Sequence, residues 1–457
     1  MTTRTSRALS LDLAPIIGPR DAGLAAELLP SLLSCGFDAE RGYELATRYA
    51  DEHHLHDLID PSALRTGGVL ARERLLWPVP FGPWFLRADA ATPASSRVLR
   101  LDVRALPTVG EAFRSIGDPD GSGLLGELLG EPYATGLGAT ELWGGSAVRL
   151  RPGLHRGPHA ELLIASEEAC VVVDPIRLSS MPAMRSTSMS FPPVDAVLFT
   201  HGHGDHFHLP TLLAVARHAE VPVLCPDVPT TNLLTRSSFA EQLRACGQRA
   251  LVARPGLIHV AGDIRIEPMP FHGEQPTAQG AGPDPRVRNW GCTYWVETPQ
   301  MRLAVLADAG RDPSGDMADV VSAVAERRGP PDVVVSCLRT FPSPFYGGLP
   351  LDWLTLDIDQ LRALERMFRA GVLPPVTLGP KGLAELASRA GARWAAPYAH
   401  GLAEDGGAIL DIGWGEGEPS EESVVRDLEH QLAALDGGAR ALRWNVGEHA
   451  NLAGSAR

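Results

Sequence analysis

No two of the six cysteines stand as a CxxC pair; Cys35, Cys170, Cys225, Cys246, Cys292 and Cys337 are scattered, several of them inside apolar runs. That argues against a thiolate metal site or a disulfide framework and reads as small buried hydrophobes in a reducing, cytoplasmic compartment. No apolar run reaches the roughly 18 residues of a membrane span. The apolar part of the N-terminal stretch is broken by Asp12 and Pro15, which argues against a secretory signal. Cations are in deficit: 41 Lys+Arg against 55 Asp+Glu give a formal charge of −14. A phosphate backbone is bound by clustered cations, so nucleic acid is not an expected partner. No flavin or nicotinamide fingerprint is present either, so any redox chemistry would need a reductant from outside the chain. What remains, 457 residues with 44% hydrophobic content, is enough for a large core and for two domains.

The densest chemistry lies in Val194 to Pro210, VDAVLFTHGHGDHFHLP. Four strong metal ligands, His201, His203, Asp205 and His206, occupy six consecutive positions at the end of an apolar strand. Side chains alternate along an extended chain, so His201 and His203 project the same way and can share one ion. A tighter turn after Gly204 would aim Asp205 and His206 at a second ion, as a dinuclear site requires. Imidazole and carboxylate together suit zinc, iron or manganese. The alternative, a His-rich surface turn, does not account for three histidines around an aspartate directly behind a buried strand.

The stretch Thr-His-Gly-His-Gly-Asp-His, with a strand before it and a helical pattern after it, resembles the signature of the metallo-β-lactamase fold. The resemblance runs from about Gly157 to about Gly401. It implies an α/β architecture, an αββα sandwich, over a catalytic domain at residues 138–457, with an N-terminal mixed accessory region at 1–137.

Helical spacing is expected within residues 21–59, where Leu24, Leu28, Leu29, Leu32 and Leu33 recur and Tyr43, Leu45, Ala46 and Tyr49 repeat the pattern. His53, His54 and His56 read as a solvated helix end, since they lack an i, i+4 pair. Val98 to Leu106 alternates like a strand. Asp118 to Gly123, DPDGSG, starts like a calcium loop but has Leu129 where such loops carry their bidentate glutamate, so it reads as a turn. From Thr140 short apolar runs separated by Gly and Pro predict strands. His159 reads as a packed histidine. Asp174 closes VVVDP and is either a carboxylate behind the metal histidines or a turn former before Pro175.

A helix is expected from Leu209 to His218 and a buried strand at Val221 to Cys225. The same strand, loop and helix unit is expected to recur at Ile264 to Pro270, Leu303 to Asp308 and Asp332 to Cys337. A last helix is expected at Ser420 to Leu435 with Ser420 as N-cap. Asp308, at the end of LAVLADAG, is the carboxylate able to put one oxygen on each of two cations. For the third ligand of the first ion PMPFHGEQP offers two candidates, His272 and Glu274.

Pro-Phe-x-Gly-Glu, followed by Trp290-Gly291, the strand ending in Asp308, DVVVSCLRTFPSPFYGG and PYAHG, is similar to a smaller group. These are the diiron oxygenases of the metallo-β-lactamase fold, typified by the β-hydroxylase of chloramphenicol biosynthesis. The resemblance implies Glu274 as ligand with His272 as its neighbour, two iron ions held with His201, His203, Asp205, His206 and Asp308, and O2 and an external reductant as co-reactants. It also implies a small-metabolite substrate or an aminoacyl group tethered to a peptide-synthetase carrier domain. A glutamate is a harder, anionic donor that favours the higher oxidation states of iron. The alternative is a dinuclear zinc or manganese hydrolase, in which His272 and His400 would be ligands; His400 is left out of the expected set. Arg339 and Tyr346 are candidates to line the pocket.

Overall fold

The computed structural model describes residues 149–176, 191–202, 206–216, 220–227, 238–273, 291–312, 315–340, 375–399, 420–435 and 437–450, with short pieces between them. In the N-terminal part it describes residues 10–15, 39–53, 76–77, 84–89 and 97–101, with isolated positions besides.

Three N-terminal strands, β1 (Ser10–Pro15), β2 (Trp84–Asp89) and β3 (Arg97–Leu101), pair antiparallel in that order. Helix α1 (Ala39–His53) falls within the stretch expected to be helical. His54, His56, the 118–123 turn and Tyr346 lie outside the described residues.

The rest is two seven-stranded sheets face to face with helices outside both, the expected αββα sandwich. The first sheet runs β9-β8-β7-β6-β5-β4-β17, where β4 is Gly153–Arg156, β5 Leu162–Ala165, β6 Cys170–Val173, β7 Ala196–Leu198, β8 Pro222–Pro226, β9 Arg249–Ala253 and β17 His449–Ala450. The second runs β10-β11-β12-β13-β14-β15-β16: β10 His259–Ala261, β11 Ile264–Pro270, β12 Cys292–Glu297, β13 Arg302–Ala307, β14 Val333–Cys337, β15 Trp394–Tyr398 and β16 Arg440–Ala441.

Strands covered on both faces read as continuous apolar runs, which is why CVVV and VVVSC carry no alternation. Their odd and even positions feed different cores. Val171, Val173, Val333 and Val335 meet Ile164, Ile266 and Leu303 between the sheets. Val172 packs outward against α2 (Leu209–Val215) and α3 (Phe239–Ala245), and Val334 against α4 (Met317–Arg328), α5 (Gly379–Arg389) and α6 (Glu421–Ala433). Burying a Val, Leu or Ile fully stabilises by about 1.5–3 kcal/mol, so this three-layered apolar interior is what holds the sandwich.

Helix α6 begins as expected: the Ser420 side chain accepts from Ser423 N, and Val424, Val425, Leu428 and Leu432 are buried. Beside it the Glu421 carboxylate takes both guanidinium nitrogens of Arg156, and Arg156 also bonds Trp444 O at 2.7 Å.

One expectation fails. Ile264 to Pro270 does not open another strand, loop and helix unit. β10, β11, β12 and β13 form an antiparallel meander, and no helix separates them among the described residues. Two tight turns impose it: Gly262, at φ 56°, turns β10 into β11, and Thr298 N bonds Met301 O between β12 and β13. In this second sheet the parallel crossovers start from β13, through α4 to β14 and through α5 to β15.

The five described cysteines are free and buried. No helix among the described residues is long and apolar enough to cross a membrane.

Candidate metal centre

His201 and His206 come from the first sheet and Asp308 from the second. β7 runs into Phe199 and Thr200, and Thr200 O accepts from Cys292 N at 2.8 Å, which ties the strand end to β12 of the facing sheet. After the ligand loop the chain is fixed again. Phe207 stacks on Phe199 at 4.3 Å, Phe239 meets both rings, and His208 caps α2 by accepting from Thr211 N. Asp308 follows β13, whose register slips between Val305 and Ala307. That slip re-aims the strand end, as bulges beside active sites do.

The three groups converge. His206 Nε2 lies 3.1 Å and His201 Nε2 3.7 Å from Asp308 Oδ2, and all three ligand atoms lie within 4.8 Å of one another. His201 and His206 have no solvent exposure, and Asp308 is buried too.

The tautomers are set from behind. Asp174 is fully buried; its Oδ1 accepts from Thr200 N at 2.7 Å, and its Oδ2 accepts from Thr200 Oγ1 at 2.6 Å and from His206 Nδ1 at 2.8 Å. Thr200 spends its one hydroxyl proton on Asp174, so at 3.0 Å it accepts from His201 Nδ1. Both imidazoles therefore carry their proton on Nδ1 and turn an Nε2 lone pair toward Asp308. Burial raises the Asp174 carboxyl above its ordinary range, while the bonds from His206 and Thr200 pull it back.

Two lone pairs and a carboxylate oxygen facing one another repel unless a proton or a metal cation lies among them. Ligand atoms about 2.1 Å from one cation stand about 3.0 Å apart at right angles and about 3.4 Å apart in a tetrahedron. The observed 3.1 Å falls between those values and the 3.7 Å a little beyond them, a spacing that a bound ion would draw in, so the described donors fit a metal ion. The donor set, nitrogen and oxygen without thiolate, suits zinc, iron or manganese.

Backbone strain gathers at the same place. The described non-glycine residues with positive φ are His159 (47°), Asp174 (41°), Ala307 (50°) and Ala399 (57°). Each such residue costs about 1–3 kcal/mol. Asp174 holds His206, Ala307 precedes Asp308, Ala399 N bonds His159 O, and the His159 ring stands edge-on to His206 at 5.4 Å.

His272 is near the centre without joining the three. Gly310 N donates to His272 O at 2.6 Å, and Gly273 pairs with Ala309. The His272 ring is turned aside, its Nδ1 3.3 Å from Asp312 Oδ2. His203, Asp205, Glu274 and His400 lie outside the described residues. Arg339 is buried just past β14, where its amide donates to Cys337 Sγ at 3.2 Å.

The sequence reading missed Thr200, Asp312 and Cys337. Burial first, then the Asp308 charge, push the Cys337 thiol well above its ordinary value. Only Thr200 carried a signal, a hydroxyl between an apolar strand and the first ligand.

Residues 171–398 match the family described as the beta-lactamase superfamily domain. No curated protein matches the sequence. Among solved structures, CmlA, a diiron beta-hydroxylase from Streptomyces venezuelae, superposes with a TM-score of 0.60 at 16% identity, covering 96% of this chain and 97% of that one. A mutant of the CmlA beta-hydroxylase gives 0.56 at 17% identity, covering 96% and 98%. Igni18, a metallo hydrolase from the archaeon Ignicoccus hospitalis, gives 0.40 at 12% identity, covering 65% of this chain and 96% of that one. With its two facing sheets and flanking helices, the chain has the metallo-β-lactamase fold, built on a beta-lactamase superfamily domain at residues 171–398.

Proposed function

We propose that this chain is a dinuclear-iron oxygenase acting on a small metabolite, an amino acid or a carrier-tethered aminoacyl group. The observation that carries the reading is the orientation of His272, whose imidazole faces Asp312 while its backbone runs beside Ala309 and Gly310. The reading takes Glu274, the next residue in sequence after Gly273, as the third ligand of the first ion, with His201 and His203. Asp205 and His206 would hold the second ion, with Asp308 completing the set.

A pair of ferrous ions held there would supply dioxygen activation, with electrons from an external reductant, for hydroxylating a C–H bond or oxidising an amine. The chain's own groups set the site up. Asp174 and Thr200 keep both Nε2 lone pairs pointed inward, and the carboxylate donors favour iron over zinc. The likeness in fold to CmlA, a diiron beta-hydroxylase, extends over 96% of this chain, which supports the oxygenase reading over that of a hydrolase.

The test is metal content and the visible spectrum of the purified full chain. Two irons per chain with charge-transfer absorption support the oxygenase. Two zincs in a colourless protein that cleaves lactone, amide or phosphodiester substrates would replace it with a hydrolase.

A further inference from the structure

We propose that Asp312 and Gly315 govern metal choice by holding the His272 imidazole away from the centre. This rests on the ligand set proposed above.

His272 starts in a position from which it could bind. Its backbone lies opposite Gly310, two residues past Asp308, and alternate residues of a paired segment share a face. The side chain therefore starts beside the backbone that carries the Asp308 carboxylate. It is turned aside by a short hairpin in which Arg311–Asp312 pairs with Gly315–Asp316.

The Asp312 carboxylate, 1% exposed, is fixed by three contacts. Oδ2 accepts from Gly273 N at 3.0 Å and faces His272 Nδ1 at 3.3 Å; Oδ1 accepts from Gly315 N at 3.1 Å. Gly315 closes the other edge of the ring, since a Cβ there would fall on His272 Cε1 and within 2.5 Å of Nε2. One nitrogen is bonded and the other lies against backbone that only a glycine leaves room for. Released, the imidazole would add a donor suited to zinc; held, it leaves the position to a carboxylate, the harder donor.

The experiment reconstitutes metal-free full-length protein, without oxygen, with equal ferrous iron and zinc, and counts bound metals by mass spectrometry. Wild type is compared with His272→Ala, Asp312→Asn, Gly315→Ala, and the last two each combined with His272→Ala. His272→Ala alone should leave the metal ratio unchanged. Asp312→Asn and Gly315→Ala free the ring in independent ways, so each should raise the zinc-to-iron ratio about tenfold, and adding His272→Ala should return it to the wild-type value. A ratio unmoved in both single variants overturns the proposal, as does loss of metal from His272→Ala alone. If wild type takes only zinc, the iron reading fails while this inference stays open to refutation by chelator competition. His272→Ala must then weaken zinc binding in the Asp312→Asn and Gly315→Ala backgrounds and not in wild type; equal effects in all backgrounds refute it.

Discussion

The Asp174 carboxylate and the His206 imidazole lie 2.8 Å apart with no solvent exposure on either side chain, and the same carboxylate reaches His201 through Thr200. One buried acid thus sets the orientation of two metal-facing rings. Asp174→Asn keeps the shape and puts an amide in place of one acceptor. It is expected to weaken metal binding about 10- to 100-fold, as loss of a partner behind a ligand does. Chelator competition measures this, and an unchanged dissociation constant would show that the rings hold their orientation without it.

The two candidates of the PMPFHGEQP stretch are expected to behave oppositely. Glu274→Ala should lower the metal content of the purified protein, whereas His272→Ala should leave it at the wild-type level. Metal analysis of the two variants decides, and the reverse pattern would assign the ligand to His272.

Arg156 is 1% exposed at its side chain and is clamped by Glu421, which anchors the start of α6 to β4. Glu421→Ala leaves a buried guanidinium without its carboxylate and is expected to cost about 3 kcal/mol. A fall in the urea midpoint at constant slope is the readout. A midpoint equal to wild type would mean that the Trp444 carbonyl and ring suffice for Arg156.

Burial pushes the Cys170 and Cys225 thiols up from 9.0 to about 12. The raised value means that the folded state keeps protons the unfolded chain gives up. The stability this contributes is complete below pH 9 and is lost as pH rises from 9 toward 12. At pH 10 each such thiol favours the unfolded chain by about 1.4 kcal/mol. Cys225→Val should therefore flatten the decline of the melting temperature between pH 8 and pH 10.5, a difference that a pH series of melts would reveal.

Much of the centre was legible. His201 and His206 followed from the spacing of THGHGDH, Asp308 from its place at the end of an apolar strand, and α6 from Ser420 and its apolar face. Asp174 stood evenly between two readings, and both hold: it turns the chain at φ 41° and also bonds His206. The orientation of His272 was out of reach because it depends on Asp312, 40 residues further along, and on a hairpin whose return no local pattern announces. The meander from β10 to β13 was missed for a related reason. A strand buried on both faces has the same apolar composition whether its neighbour runs parallel or antiparallel.

The ligand atoms belong to tips of opposite sheets, two from one and one from the other, above an interface that includes Ile164 and Ile266. An ion bound there rivets the halves of the sandwich, so the bonds that prepare the chemistry also close the seam beneath it. Chelation should then be felt along the entire seam, as faster amide exchange in β5 and in the Ile264 end of β11.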